Sequence, residues 1–98
     1  MDKFETYSDE ELICILRSGH SEVMDYLLNK YKNLVKSLAG SYYLPGADEQ
    51  DILQEGMIGL FKAVRDFDVN KDASFATFAR ICIQRNIQTA VQKANRKK

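Results

Sequence analysis

Little in this sequence points to reactive chemistry. Its 98 residues include no tryptophan, one proline, one histidine and two cysteines. Cys14 and Cys82 are too few for a disulfide scaffold and lack the close pairing of a metal site. Both lie in apolar helical contexts and are expected to be buried free thiols, in keeping with a reducing, cytoplasmic location. His20 stands alone in a linker and reads as a solvated residue rather than a base or ligand. There is no glycine-rich phosphate loop and no cluster of ligating side chains at metal spacing. No apolar run approaches the roughly 18 residues needed to cross a bilayer, so no membrane partner is expected. The polar, acidic start MDKFETYSDEE does not have the character of a signal peptide. These shortages support neither an enzyme nor a cofactor.

Hydrophobic residues make up 45% of the chain, enough for a folded domain with a modest core. A single domain over residues 1–98 is expected. The net charge of zero conceals a division. Residues 1–70 hold 7 Lys and Arg against 13 Asp and Glu, whereas residues 71–98 hold 7 basic residues against Asp72 alone. That asymmetry suggests an anionic partner such as nucleic acid at the C-terminal end. A solvated basic tail would give the same count.

The periodicity predicts an all-α bundle of about four helices, with no strand-like alternation. Ser8 and Glu11 form a capping box that opens DEELICILRSG, and Gly19 is its stop. Ser21 precedes a long helix predicted to run to about Tyr43, with Met24, Leu27, Leu28, Tyr31, Leu34, Val35, Leu38 and Tyr42 on one face. Pro45-Gly46 breaks it, and Asp48 caps the third helix. The polar connector DFDVNKDAS leads to Ser74, which caps a fourth helix running from Phe75 towards Asn95.

On a wheel of 3.6 residues per turn, the third helix places Ile52, Leu53, Met57, Leu60, Ala63, Val64 and Phe67 together, with Gly56 among them. Asp51, Gln54, Glu55, Lys62 and Arg65 lie opposite, with Ile58 in their midst and Gly59 at the edge. A lone exposed isoleucine is ordinary, but an apolar knob ringed by polar groups is also the pattern of a docking surface. The wheel alone leaves both readings open. Gly56 is expected to admit a neighbouring helix, and Gly59 to border the face that a partner approaches. The carboxylates Asp48, Glu49, Asp51 and Glu55 are adequate as helix-start charges and a solvated face.

The fourth helix buries Phe75, Ala79, Cys82, Ile83, Ile87, Ala90 and Ala94 by the same construction. Thr77, Gln84, Arg85, Gln88, Gln92 and Arg96 face outward, with Ile81 central and Phe78 at one margin. Gln and Arg suit paired hydrogen bonds to base edges, and an accessible ring can stack on an unpaired base. No carboxylate follows Phe75, which favours phosphate contact. An ordinary solvated amphipathic helix would share these features.

The run DILQEGMIGLFKAVRDFD, followed by SFATFARICIQRNIQTAV, resembles the second conserved region of bacterial sigma-70-type RNA polymerase sigma factors. The likeness extends from about Ser8 to Ala94, and the pattern D-x-x-Q-E-G-x-I-G-L-x-K-A-V is highly specific. MDYLLNKYKNLVKSLAGSYYLPGADEQDILQEGMIGL is most similar to the sporulation sigma-H type. The resemblance implies a cytoplasmic transcription factor domain with two surfaces. Asp51, Gln54, Glu55, Ile58 and Lys62 match the motif that docks on the clamp-helix coiled coil of the core RNA polymerase β′ subunit. Phe67, Lys71, Phe75, Thr77 and Phe78 match the segment that holds open the non-template strand of the −10 promoter element. Arg85 and Gln88 match positions that read its upstream duplex edge, and Ile81 and Gln84 share that DNA-facing side. Phe78 is the expected platform for the first flipped adenine.

The departures from the family carry expectations too. Primary sigma factors have a tryptophan pair where this chain has Ile81 and Cys82, and an aromatic residue in place of Ala73. A weaker wedge implies less robust melting and an alternative rather than a housekeeping factor. Arg85 replaces a glutamine, which implies a guanine preference at the upstream edge. The family's C-terminal helix-turn-helix domain, which reads the −35 element, has no match here, so the chain is expected to be a piece of a longer factor. Two other readings stay open: a stand-alone DNA-binding regulator, and a polymerase-binding helical module without DNA activity. An anti-sigma factor is a further candidate partner.

Overall fold

The computed structural model describes residues 3–42 and 48–96, the last three by backbone alone. Five helices follow in order: α1 (Asp9–Arg17), α2 (Glu22–Lys30), α3 (Lys32–Gly40), α4 (Glu49–Asp66) and α5 (Phe75–Arg96). No strand occurs among the described residues. The all-α expectation holds. Local signals fix most helix ends. Ser8 Oγ accepts from the Glu11 amide while Glu11 Oε1 accepts from the Ser8 amide, completing the box at α1. Gly19, at φ 116°, takes the left-handed conformation that terminates this helix cheaply. Asp48 Oδ1 accepts from the Gln50 amide at 2.9 Å, and Ser74 Oγ from the Thr77 amide at 3.2 Å. The predicted break at Pro45-Gly46 lies outside the described residues.

The long second helix is in fact two. At Tyr31 the backbone turns to φ −98°, ψ 6°, ending α2 and starting α3. Neither glycine nor proline marks the place. The cause is tertiary: the Tyr31 hydroxyl donates to Asp9 of α1, and its ring meets Phe75 edge-on at 5.5 Å. Both anchors hold this residue at a bend, while the bonds from the Tyr31 amide to Leu27 and from the Val35 amide to Tyr31, and the apolar period, continue through it.

The core collects Leu12 and Ile13 of α1, Val23 and Leu27 of α2, and Val35 and Ala39 of α3 around the α4–α5 pair. From that pair come Ile52, Leu60, Ala63, Val64, Phe67, Phe75, Ala79, Ile83 and Ile87. Leu53, Met57, Cys82 and Val91 are only half-buried at its margin. Cys14 corrects the expectation of a buried thiol, because it is exposed. Leu12, Ile13, Ile15 and Leu16 cover one arc of α1, and about 100° of rotation per residue carries Cys14 beyond it.

Helices α4 and α5 run antiparallel, and their spacing is set by two missing side chains. A Cβ added at Gly56 would come within 2.7 Å of Val35 Cγ1 and 3.1 Å of Ile87 Cδ1. One at Gly59 would meet the Cys82 carbonyl oxygen at 2.8 Å, with Asn86 Cβ and Ile83 Cα at 3.0 Å. Gly59 is therefore buried against the α5 backbone and does not border the outer face as expected. Backbone cannot yield as a flexible side-chain tip can. Gly59→Ala should cost about 1–3 kcal/mol by overpacking, read as a lower thermal midpoint. Gly40→Ala, whose Cβ would meet nothing within 4 Å, should be neutral or stabilising by up to about 1 kcal/mol. Equal midpoints for the two variants would contradict this account of the helix pair.

Candidate functional site

The outward face of α4 assembles the residues singled out there. Asp51, Gln54, Ile58 and Lys62 are exposed, and Glu55 is half-buried. Ile58 retains 38% of its surface, and Phe61, three residues on, retains 43%. Two large apolar side chains thus stand together amid charge. Phe61 was not anticipated, although an i, i+3 spacing from an already suspect isoleucine was the available signal. Arg65 closes the far end by binding Asp66, Nε to Oδ1 at 2.7 Å, and this hydrogen bond holds the exposed Asp66 carboxyl below its usual range.

On α5, Thr77, Ile81, Arg85 and Gln88 are exposed, while Phe78 and Gln84 are half-buried. Ile81 shows 41% of its surface. Gln88 is held from the side, its Nε2 donating to the Tyr42 hydroxyl at 2.9 Å. Thr77 Oγ1 accepts from Ser74 Oγ at 3.0 Å. Lys71 is exposed on the connector. Burial pushes the Cys82 thiol up, with the Arg85 charge opposing and Asp66 adding to the shift.

Phe67 and Phe75, which the resemblance includes in the strand-holding segment, are interior, as the wheel places them. Phe75 is fully buried and Phe67 only 3% exposed. Their rings meet edge-on at 5.5 Å, and Phe67 in turn lies 5.6 Å from the ring of Phe78. The reason is packing: the α4–α5 connector folds both rings inward to close the end of the hairpin. Phe67 packs against Phe78, and Phe75 reaches it through Phe67 rather than presenting a surface of its own. Of the outward residues read from the wheel, Arg96 falls outside the described side chains, as does Ala94 of the buried face.

Helix α1 holds that connector at both ends. Arg17 Nη2 donates to the carbonyl of Phe67 at 2.6 Å and of Arg65 at 3.2 Å, where α4 leaves carbonyls unpaired. Glu10 Oε2 accepts from the Phe75 amide at 2.7 Å, at the opposite pole of α5. A cation therefore meets the negative end of one helix, and an anion the positive end of the next. Asp9, beside Glu10, binds Lys30 Nζ at 2.7 Å and the Tyr31 hydroxyl. That hydrogen bond raises the Lys30 pKa. Burial first, then the same carboxylate, raises Tyr31 well above the usual phenol range. An open cleft of about 450 Å³ lies beside this network, lined by Tyr31, Leu34, Ala76, Thr77 and Arg80.

The described residues bring no three ligating side chains together for a metal, and no helix among them is long and apolar enough to cross a membrane. Arg17→Ala should lower stability by about 1–2 kcal/mol and speed amide exchange across residues 67–74. Unchanged exchange there would mean that the connector does not depend on α1.

Comparison with known proteins gives a consistent result. The family model for Sigma-70 region 2 matches residues 27–97. The RNA polymerase sigma-H factors of Bacillus licheniformis and Bacillus subtilis (strain 168) are each 48% identical over 97 residues. The aligned part is 99% of this chain but 44% of those proteins, so the chain spans less than half the length of the relatives it matches. An engineered region 2 of sigmaE, solved by NMR in complex with GTAAAA, superposes with a TM-score of 0.72 at 26% identity. That match covers 99% of this chain and 97% of the other.

Proposed function

Since this chain belongs to the Sigma-70 region 2 family, we propose that it is the part of a transcription initiation factor that docks on core RNA polymerase and opens the −10 promoter element. The observation that carries this reading is the pairing of two unlike faces on one hairpin. On α4, Ile58 and Phe61 form an apolar centre rimmed by Asp51, Gln54, Glu55 and Lys62, the anatomy of a protein interface. The partner is the clamp-helix coiled coil of the β′ subunit. On α5, the described side chains include no carboxylate, and Phe78 is backed by Phe67. The partner there is the single-stranded non-template strand, with Lys71, Thr77, Ile81, Gln84, Arg85 and Gln88 along its path. The sigmaE region 2 of similar fold was solved with GTAAAA, which supports that assignment.

The mechanism needs no covalent step. A base that has left the stack is captured on the Phe78 ring, and the energy of stacking offsets part of the cost of strand separation. Because Phe67 packs against that ring and Phe75 against Phe67, little freedom is lost when the base arrives. Phe67 and Phe75 act through Phe78. The sigma-H kinship carries the sporulation or stationary-phase assignment.

Ile58→Asp should abolish capture by a β′ clamp-helix fragment, a loss on the hot-spot scale of about 30-fold or more, while the circular dichroism of the domain is unchanged. Phe78→Ala should weaken binding to single-stranded −10 DNA by about 5- to 150-fold, the worth of one stacked base. A chain that keeps clamp binding after Ile58→Asp and DNA binding after Phe78→Ala would refute the reading. DNA binding with no capture by β′ would leave a stand-alone regulator, and the reverse would leave a polymerase-binding module.

Arg85 supplies a sequence-specific test. Its guanidinium is exposed and suited to guanine O6 and N7. Arg85→Ala should erase a guanine preference at the upstream edge of the −10 element, measured as relative affinity across the four base pairs there. An unchanged preference would show that another residue reads the position.

A further inference from the structure

Among the described residues, the hydrogen bonds of the Asn86 side chain all run to Glu55 and Lys62 on the outer side of α4. Its Nδ2 donates to the Glu55 backbone oxygen at 2.8 Å and to Glu55 Oε1 at 3.0 Å, and its Oδ1 accepts from Lys62 Nζ at 3.2 Å. The chemistry leaves no ambiguity about which way the amide points. A carbonyl and a carboxylate accept only from the NH₂ group, and an ammonium donates only to the oxygen. Glu55 and Lys62 are seven residues apart, about 10.5 Å along the axis, too far to pair directly. Asn86 fills the gap between them. It reaches that place because Gly59, midway between the two, has no side chain: a Cβ there would lie 3.0 Å from Asn86 Cβ.

Long charged side chains lose rotational freedom when a partner binds them. A half-buried amide that already fixes one of each sign removes part of that loss in advance. We infer that Asn86 is a positioning residue of the docking surface, holding Glu55 and Lys62 apart and oriented for the polymerase. The inference rests on the docking reading of α4 and extends the surface onto the helix assigned to DNA. Asn86 itself need not touch the partner.

Affinity for a β′ clamp-helix fragment tests this, measured with the full chain well below its thermal midpoint. Asn86→Ala should weaken binding by about 3- to 10-fold, the scale of one or two side chains ordered on binding rather than beforehand. Asn86→Asp, which keeps the shape but repels Glu55, should weaken it at least as much. In a chain already carrying Glu55→Ala and Lys62→Ala, Asn86→Ala should have no further effect, and binding of single-stranded −10 DNA should be unchanged throughout. A general packing defect would instead lower both affinities alike. Wild-type affinity in Asn86→Ala, the same loss in both backgrounds, or a parallel loss of DNA binding overturns the inference while docking stands. A wild-type chain that fails to bind the fragment overturns the docking reading and the inference with it.

Discussion

The close approach of α4 and α5 at Gly56 and Gly59 is the constraint on which the other features depend. An ordinary helix pair is separated by 8–10 Å, set by the side chains between. Here one of the intervening side chains is replaced by the α5 backbone itself, with the Cys82 carbonyl 2.8 Å from where a Cβ would stand. Each glycine within a helix forfeits about 1 kcal/mol of propensity relative to alanine. The contact recovers this through the burial of Leu60, Ala63, Val64, Ile83 and Ile87 between the helices. It also brings Asn86 over the α4 backbone, so that polar groups of the two helices meet at the surface directly above the apolar seam.

A hairpin this tight has a vulnerable end, where the eight residues from Phe67 to Ser74 turn the chain round. Helix α1 secures it electrostatically. Arg17 and Glu10 lie two turns apart on α1, and each finds the helix pole of opposite sign. Inside the turn, Tyr31, Phe75, Phe67 and Phe78 form a continuous row of ring contacts. The row begins at a tyrosine tied to Asp9 and ends at the half-exposed ring on α5. The orientation of that last ring thus depends on α1, α2 and the connector together, although it belongs to none of them.

What could be read from the sequence was local. The caps at Ser8, Asp48 and Ser74 are formed because a short polar side chain and an amide two or three residues away suffice to make them. The α4 periodicity correctly separated Ile52, Leu60, Ala63 and Val64 from Gln54, Ile58 and Lys62. Apart from Cys14, which the rotation of α1 itself turns outward, the misreadings depend on a neighbour. Tyr31 breaks a helix because of Asp9 and Phe75, both remote in sequence. Gly59 was assigned to an edge because a wheel does not show which side the next helix takes. The wheel puts Phe67 and Phe75 inside, where they lie, whereas the motif that joins them to the strand-holding segment records position in the chain but not exposure. Phe61 was passed over because an aromatic residue reads as core until its exposure is known.

The two outward faces differ in what they select. The α4 face mixes both signs around Ile58 and Phe61, so its attraction to a uniformly charged polymer is weak, and shape and apolar contact decide its partner. The α5 face offers cations and amides with no described carboxylate, the charge character that would suit a polyanion, and Arg85 and Gln88 stand exposed on it. Sharing one hairpin places these surfaces at a fixed spacing, with Asn86 at the seam between them. A partner seated on α4 would thereby hold α5 at a defined position relative to itself. In the function proposed above, that fixed spacing is what would couple binding on α4 to capture of a strand on α5.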